Sequence, residues 1–304
     1  MTNFIFRRLI WMVITLWAVF TVSFFLMHSI PGGPFSGEKA LDPLIEENFK
    51  RKYDLDKSLP EQYLLRLGDV VRLDMGLCMK LEYPANKVIA DGLPISALLG
   101  SLALASAFLV GVTAGIVSAV ARGSATDVGL MAIATLGIAL PNFVVAGVSI
   151  LVFVFWLQWL PAAGWGSIEQ LILPSICLGA PYAASVARIA RTGMLDVLSQ
   201  DHIRTARAKG LSPLKVVLKH AMPTAMLPVV SFLGPAVAGI LTGSPVVEQI
   251  FAIPGLGWHF VQSAILRDYT LAMALVLVYT ALLYTMNFVV DLCYSLLDPR
   301  IEWK

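Results

Sequence analysis

Long stretches without a single Lys, Arg, Asp or Glu set the pattern of this chain: residues 9–30, 95–121 and 271–290 carry none. Each exceeds the roughly 18–20 residues that a helix needs to cross the hydrocarbon of a bilayer. Extending the apolar windows predicts six transmembrane helices, over residues 9–30, 94–121, 128–160, 171–187, 229–250 and 271–297. The third window contains Pro141, which removes a backbone donor and bends a helix. The fourth is the shortest and holds Pro174 and Pro181. The first is 22 residues long and follows Arg7 and Arg8. That is longer than the roughly 7–15 residues of a signal-peptide core, and no small-x-small site closes it, so it reads as an uncleaved span.

Between the first two windows lies a mixed-charge segment, giving a division into residues 1–30, an extracytoplasmic loop domain at 31–93, and a five-helix core at 94–304. Within the loop, Asp42-Pro43 followed by Leu44, Phe49 and Tyr53 predicts a capped helix with proline at its first position. A second helix is expected from near Pro60, with Tyr63, Leu64, Leu67 and Val71 on one face. The two would make a small folded cap.

Orientation follows from Lys and Arg in the short connections. With the N-terminus inside, Arg7, Arg8, Arg122, the seven basic residues of 188–228, Arg300 and Lys304 face the cytoplasm, whereas the short outer connections hold only Arg267. Both termini are therefore expected to be cytoplasmic. The nine basic and eleven acidic residues of 31–94 do not enter this balance, because long loops translocate largely regardless of charge. Trp159, Trp165 and Trp258 read as outer-interface aromatics and Trp11 as an inner one. Arg188 and Arg191 are expected to snorkel at the inner end of the fourth span, and Asp291 with Asp298 to cap or pair near the end of the sixth.

Composition strengthens the membrane reading. Apolar residues make up 58% and charged residues 14% of the 304, against about 45–50% and about 25% in soluble domains. The net charge of +2 carries no sign of a nucleic-acid partner. Cys78, Cys177 and Cys293 form no Cys-x-x-Cys pair, and His28, His202, His220 and His259 form no His-Glu-x-x-His, so no metal site or cofactor is expected. No convergent nucleophile and base suggests an intramembrane enzyme. There is no Gly-x-x-x-x-Gly-Lys-Ser/Thr phosphate loop either, so any ATP chemistry belongs to another chain.

The densest information lies in residues 199–223, Ser-Gln-Asp-His-Ile-Arg-Thr-Ala-Arg-Ala-Lys-Gly-Leu-Ser-Pro-Leu-Lys-Val-Val-Leu-Lys-His-Ala-Met-Pro. Ser199 is read as the cap of a first helix, Gly210 as its left-handed end, and Ser212-Pro213 as the cap and first position of a second. Ile203, Ala206, Leu211, Leu214, Val217 and Leu218 supply an apolar stripe, and Arg204, Arg207, Lys209, Lys215 and Lys219 a basic surface. Thr205, Ala206, Ala208 and Gly210 leave room for another protein to approach. Such a knob suits docking into a partner; a surface meeting anionic lipid headgroups is the plainer alternative.

This segment resembles the signature of the inner-membrane permease subunits of ATP-binding-cassette importers: Glu-Ala-Ala, three residues, Gly, nine residues, Ile-x-Leu-Pro. Gly210 and Pro223 keep the thirteen-residue separation of its glycine and proline. Arg204-Thr205-Ala206 replaces Glu-Ala-Ala and His220-Ala221-Met222 replaces Ile-x-Leu, a form that resembles the peptide and nickel branch. Pro31-Gly32-Gly33-Pro34-Phe35, the stretch 248–257, Arg267-Asp268-Tyr269 and Asp298-Pro299-Arg300 resemble further marks of that branch. Residues 31–38 and Gly243-Ser244 look most like its oligopeptide permease B subunits.

The resemblance implies the type I importer permease fold and a complex in the bacterial inner membrane. Its members would be a second homologous permease subunit, two cytoplasmic ATPases that hold ATP and Mg²⁺, and an extracytoplasmic binding protein delivering oligopeptide. It also implies that Arg204, Thr205, Ala206, Arg207, Ala208, Lys209, Gly210, Leu211, Ser212 and Pro213 couple to the ATPases. Dipeptides, nickel or another small solute remain alternative cargoes. An ion-driven carrier is disfavoured because it needs no ATPase dock and would show inverted repeats. Glu248, an acid where the fifth span emerges, and Phe251, Pro254, Gly255 and Gly257 are candidates for an outer gate or binding-protein contact; the plainer reading is an interfacial carboxylate satisfied by water or backbone.

Overall fold

The computed structural model describes residues 2–30, 43–241 and 245–297. The expected turn at 31–38, the Asp42 cap, Gly243-Ser244 and Asp298-Pro299-Arg300 lie outside them. Every extended element among the described residues is helical, and one isolated bridge joins Leu77 and Pro84. In order the helices are α1 (Thr2–Ser29), α2 (Pro43–Lys52), α3 (Leu59–Val71), α4 (Ala85–Val120), α5 (Ala125–Ala139), α6 (Asn142–Ser149) and α7 (Glu169–Leu198). There follow α8 (Asp201–Ala208), α9 (Pro213–Lys215), α10 (Met222–Ala225), α11 (Leu227–Leu241), α12 (Pro245–Ile250), α13 (Leu256–Ile265) and α14 (Tyr269–Leu297). Wide π-helical turns extend α6 over Ile150–Trp156 and link α9 to α10 over Val216–Ala221.

Four helices are long and apolar enough to cross a membrane: the Ile5–Ser29 part of α1, α4, α7, and the Tyr269–Leu292 part of α14. Two bent pairs bring the number to six if each counts as one span. One pair, α5 with α6 and its π extension, bends by 117°. Its break falls at Leu140, which is extended (φ −85°, ψ 132°) ahead of Pro141. The proline ring disfavours helical backbone in the residue before it, so the third window bends where expected. The other pair joins Pro213–Ala225 to Leu227–Ile240 at 54°.

The helix of the fourth window is longer than the apolar run. α7 runs for 30 residues to Leu198, through Pro174 and Pro181. Arg188, Arg191 and Asp196 lower the hydropathy but are good or adequate helix residues, so they ended the apolar window without ending the helix.

The chain divides into two compact units, one of residues 2–95 and 254–288, the other of 96–253 and 289–297. In the first, Phe20 and Phe24 of α1 pack on Tyr63, Leu67 and Val70 of α3, with both rings 5.4 Å from that of Tyr63. Met273 and Leu277 of α14 complete the cluster. The expected face of α3 is thus corrected: Leu64 and Val71 are 66% and 76% exposed, because the buried stripe follows positions 63, 67 and 70. The Glu61 carboxylate accepts from the Ser58 N–H and hydroxyl, closing the start of α3. Asp268 accepts from the Leu271 N–H, capping α14, and from the Lys80 N–H, both at 3.0 Å.

In the second unit, α4 and α7 meet at glycines. A Cβ on Gly111 would lie 2.6 Å from the Ala183 carbonyl oxygen, and one on Gly115 would lie 2.6 Å from that of Ala187. Small residues four apart let two membrane helices approach backbone to backbone.

Candidate functional site

The knob of residues 201–221 is built as a helix, a turn and a second helix. Ser199 does not cap α8, contrary to expectation. It closes α7, donating its hydroxyl to the Asp196 carbonyl at 2.7 Å, and extended Gln200 takes the cap position. Gly210 has φ +77° and its N–H returns to the Arg207 carbonyl at 2.9 Å, a left-handed helix end. A Cβ there would meet nothing within 4 Å, so backbone conformation and not space calls for glycine. Ser212 is extended (ψ 147°) and Pro213 opens α9. In the π-turn that follows, the Met222 N–H reaches back to the Val217 carbonyl. The widened turn leads into Pro223, which has no N–H to continue an ordinary ladder.

Ile203, Ala206, Val216 and Ala221 are buried against Ala119 of α4 and Met194 and Val197 of α7. Leu211 and Val217 pack at the edge of this cluster. Leu214 and Leu218 do not join it: they are 68% and 46% exposed, and Val216, outside the expected stripe, takes the inner place. Leu218 lies in the π-turn, which carries more residues per turn than an α-helix and so moves the 3.6-residue stripe off register beyond Lys215; Leu214 precedes that turn, in α9.

Of the ten candidate coupling residues, Ala206 is buried, Leu211 half-buried, and Arg204, Thr205, Arg207, Ala208, Lys209, Gly210, Ser212 and Pro213 are exposed. Arg204 lies 3.5 Å from Asp201, with side chains 75% and 94% exposed, a pair that water and salt weaken. A groove of about 470 Å³ separates the turn from the ends of α4 and α7, with Arg122 and Arg207 on its walls.

Arg191 does not snorkel at the end of a span. It grips Asp127, the third residue of α5, by two hydrogen bonds of 2.8 and 2.9 Å. Asp127 is 4% exposed and also accepts from the Ser118 hydroxyl and the Gly123 N–H. One carboxylate therefore ties the end of α4, the turn after it, α5 and α7 beside the knob's apolar seat. Arg188, three residues earlier, has no ion-pair partner among the described residues.

Around the outer-loop candidates, Glu248 is fully buried in α12 and accepts from the Ser96 hydroxyl at 2.8 Å. Its carbonyl receives the Ile253 N–H at 2.9 Å across Ala252, which has φ +50°. Phe251 is buried, and its carbonyl accepts from the Gly164 N–H at 2.9 Å. Glu248 is therefore satisfied within the protein and not by water. Pro254, Gly255 and Gly257 belong to the other unit, where Gly255 precedes α13 in extended conformation.

Residues 111–303 match the family model described as the binding-protein-dependent transport system inner membrane component. The chain belongs to this family. As an inner-membrane component of a binding-protein-dependent transport system, it has relatives that match from end to end. It is 43% identical over 306 residues to the oligopeptide transport system permease protein OppB of Haemophilus influenzae, covering 100% of both chains. It is 41% identical to OppB of Salmonella typhimurium, again over 100% of both. Identity is also 41% with the dipeptide transport system permease protein DppB of Bacillus subtilis, over 99% of this chain and 98% of that one. Among solved structures, the inward-facing MetNI methionine ABC transporter aligns with TM-score 0.55 and 18% identity, covering 69% of this chain and 96% of that one. That likeness establishes a shared fold for the inner-membrane component.

The Asp127–Arg191 pair was missed by sequence reasoning. Its members are 64 positions apart, and the only local sign was Ser124, whose hydroxyl accepts from the Asp127 N–H.

Proposed function

We propose that this chain is one of two homologous permease subunits in an ATP-binding-cassette importer, forming half of the pathway for oligopeptides. The observation that carries this reading is the 43% identity to an oligopeptide permease along its whole length. The proposed topology counts each bent pair as one span, giving six, with both termini in the cytoplasm and residues 31–93 outside. Two cytoplasmic ATPases would hold ATP and Mg²⁺, and an extracytoplasmic binding protein would deliver the peptide.

In this reading residues 204–213 dock into the ATPases. The knob's inner face is packed on Ala119, Met194 and Val197. Force applied to it would therefore move the ends of α4 and α7 as a body instead of deforming a loop, which a switch between two packed states requires. Glu248, Phe251, Pro254, Gly255 and Gly257 would serve the outer gate or the binding-protein contact. Dipeptide is the second cargo reading, supported by the 41% identity to DppB.

The test is ATP-dependent uptake of labelled peptides into proteoliposomes holding the complete complex, for wild type, Gly210→Pro and Arg207→Glu. Gly210→Pro forces φ to about −65° at a position with φ +77°. Uptake should be lost while the subunits still co-purify. Uptake that persists without ATP, or from this chain alone, overturns the reading. Competition between dipeptides and tetrapeptides separates the two cargoes.

A further inference from the structure

Ser185, Arg188, Thr192 and Asp196 recur at three- and four-residue steps, which places them on one face of α7. All four line a groove of about 550 Å³, with Ile138 of α5 and Phe232 of α11 among its apolar walls. Two charged side chains of opposite sign thus stand on one polar stripe between two mainly apolar helices. Among the described residues neither has an ion-pair partner. Arg191, three residues further along the same helix, is paired with Asp127. The fold neutralises one arginine and leaves its neighbour open to a groove. In the proposed topology Arg188 and Asp196 lie at the inner end of the fourth span, where ionisable groups that face a groove instead of lipid mark a substrate path.

The eight-residue step from Arg188 to Asp196 corresponds to about 12 Å along the helix axis. An extended peptide advances roughly 3.3 Å per residue, so about four residues span that distance. The Thr192 and Ser185 hydroxyls donate to the Arg188 and Pro181 carbonyls and still have acceptor capacity for peptide N–H groups. We propose that this groove is a segment of the peptide route. Arg188 receives the carboxylate of a zwitterionic peptide by a charge-assisted, bidentate contact, and Asp196 receives its ammonium. The inference rests on the peptide-permease reading and adds to it the surface that recognises the cargo's termini.

The test compares uptake by the complete complex in proteoliposomes of one alanine-rich tetrapeptide in three forms: free, N-acetylated and C-amidated. Each is supplied with binding protein loaded to saturation. In wild type, amidation and acetylation should each lower uptake several-fold. Arg188→Gln should lower uptake of the free peptide to the amidated level and abolish the effect of amidation, leaving that of acetylation. Asp196→Asn should do the converse, and Arg188→Lys should restore part of the amidation effect, which a general packing defect would not allow. Equal losses for all three peptides in Arg188→Gln, or no loss, would overturn the proposal. A wild-type complex that imports none of the three with ATP would instead sink the peptide-permease reading beneath it.

Discussion

The contact between α4 and α7 makes a measurable prediction at Gly111. An alanine Cβ there would lie 2.6 Å from the Ala183 oxygen and 2.7 Å from the Val186 Cβ. Reaching an ordinary 3.4 Å contact requires the two backbones to part by about 0.8 Å, because the nearest obstacles are a backbone carbonyl and a Cβ fixed to the backbone, not the end of a flexible side chain. Overpacking of this kind costs about 1–3 kcal/mol. Gly129→Ala in α5 is the matched control, since a Cβ there meets nothing within 4 Å. Both substitutions bring the same gain in helix propensity, so it cancels in the comparison. Gly111→Ala should therefore be less stable than Gly129→Ala by about 1–3 kcal/mol, a factor of roughly 5–150 in the folded-to-unfolded ratio. The assay is equilibrium unfolding of the purified chain in mixed micelles with increasing denaturing detergent, followed by tryptophan fluorescence. Identical midpoints, or a more stable Gly111→Ala, would refute the close approach of α4 and α7.

Three further outcomes are expected. Asp127→Asn and Arg191→Gln should each lower the thermal stability of the purified complex, and the exchange Asp127→Arg with Arg191→Asp should recover part of the loss; recovery of nothing means the charge pair is incidental. Burial pushes the Cys78 thiol up to about 12, with the Asp268 charge adding to the effect. Because the thiolate is the reactive form, maleimide labelling of a variant retaining only Cys78 should stay low from pH 7 to 9 and rise on unfolding; rapid labelling of the folded protein contradicts this burial. Glu248→Ala and Gly255→Leu should each reduce peptide uptake by the complete complex, and unchanged uptake in both removes the outer loop from the transport cycle.

The parts of the architecture that follow from local chemistry were legible in the sequence. Charge-free runs located the long helices, Pro141 located a bend, and Gly210 with Ser212-Pro213 located the turn of the knob. What failed depended on context. The hydropathy window ends at Ala187 because Arg188 and Arg191 are charged, although α7 continues about three turns beyond Ala187, to Leu198. Leu218 faces outward because the π-turn that holds it does not keep the helical period of the expected stripe. The partner of Arg191 lies on another helix, and no periodicity along one strand of sequence encodes it.

The discontinuous first unit has a consequence for biosynthesis. Phe20 and Phe24 leave the ribosome early, yet two residues of their cluster, Met273 and Leu277, arrive some 250 positions later. Asp268 likewise fastens the Lys80 N–H only after 188 further positions have been made. The helices numbered first thus complete their packing last, after residues 96–253 have been made and can already close on themselves. A nascent chain stalled before Pro254 would carry a settled middle and an N-terminal helix with part of its packing surface still bare. Quality-control proteases that sample the growing chain would therefore meet its oldest segment in its least finished form.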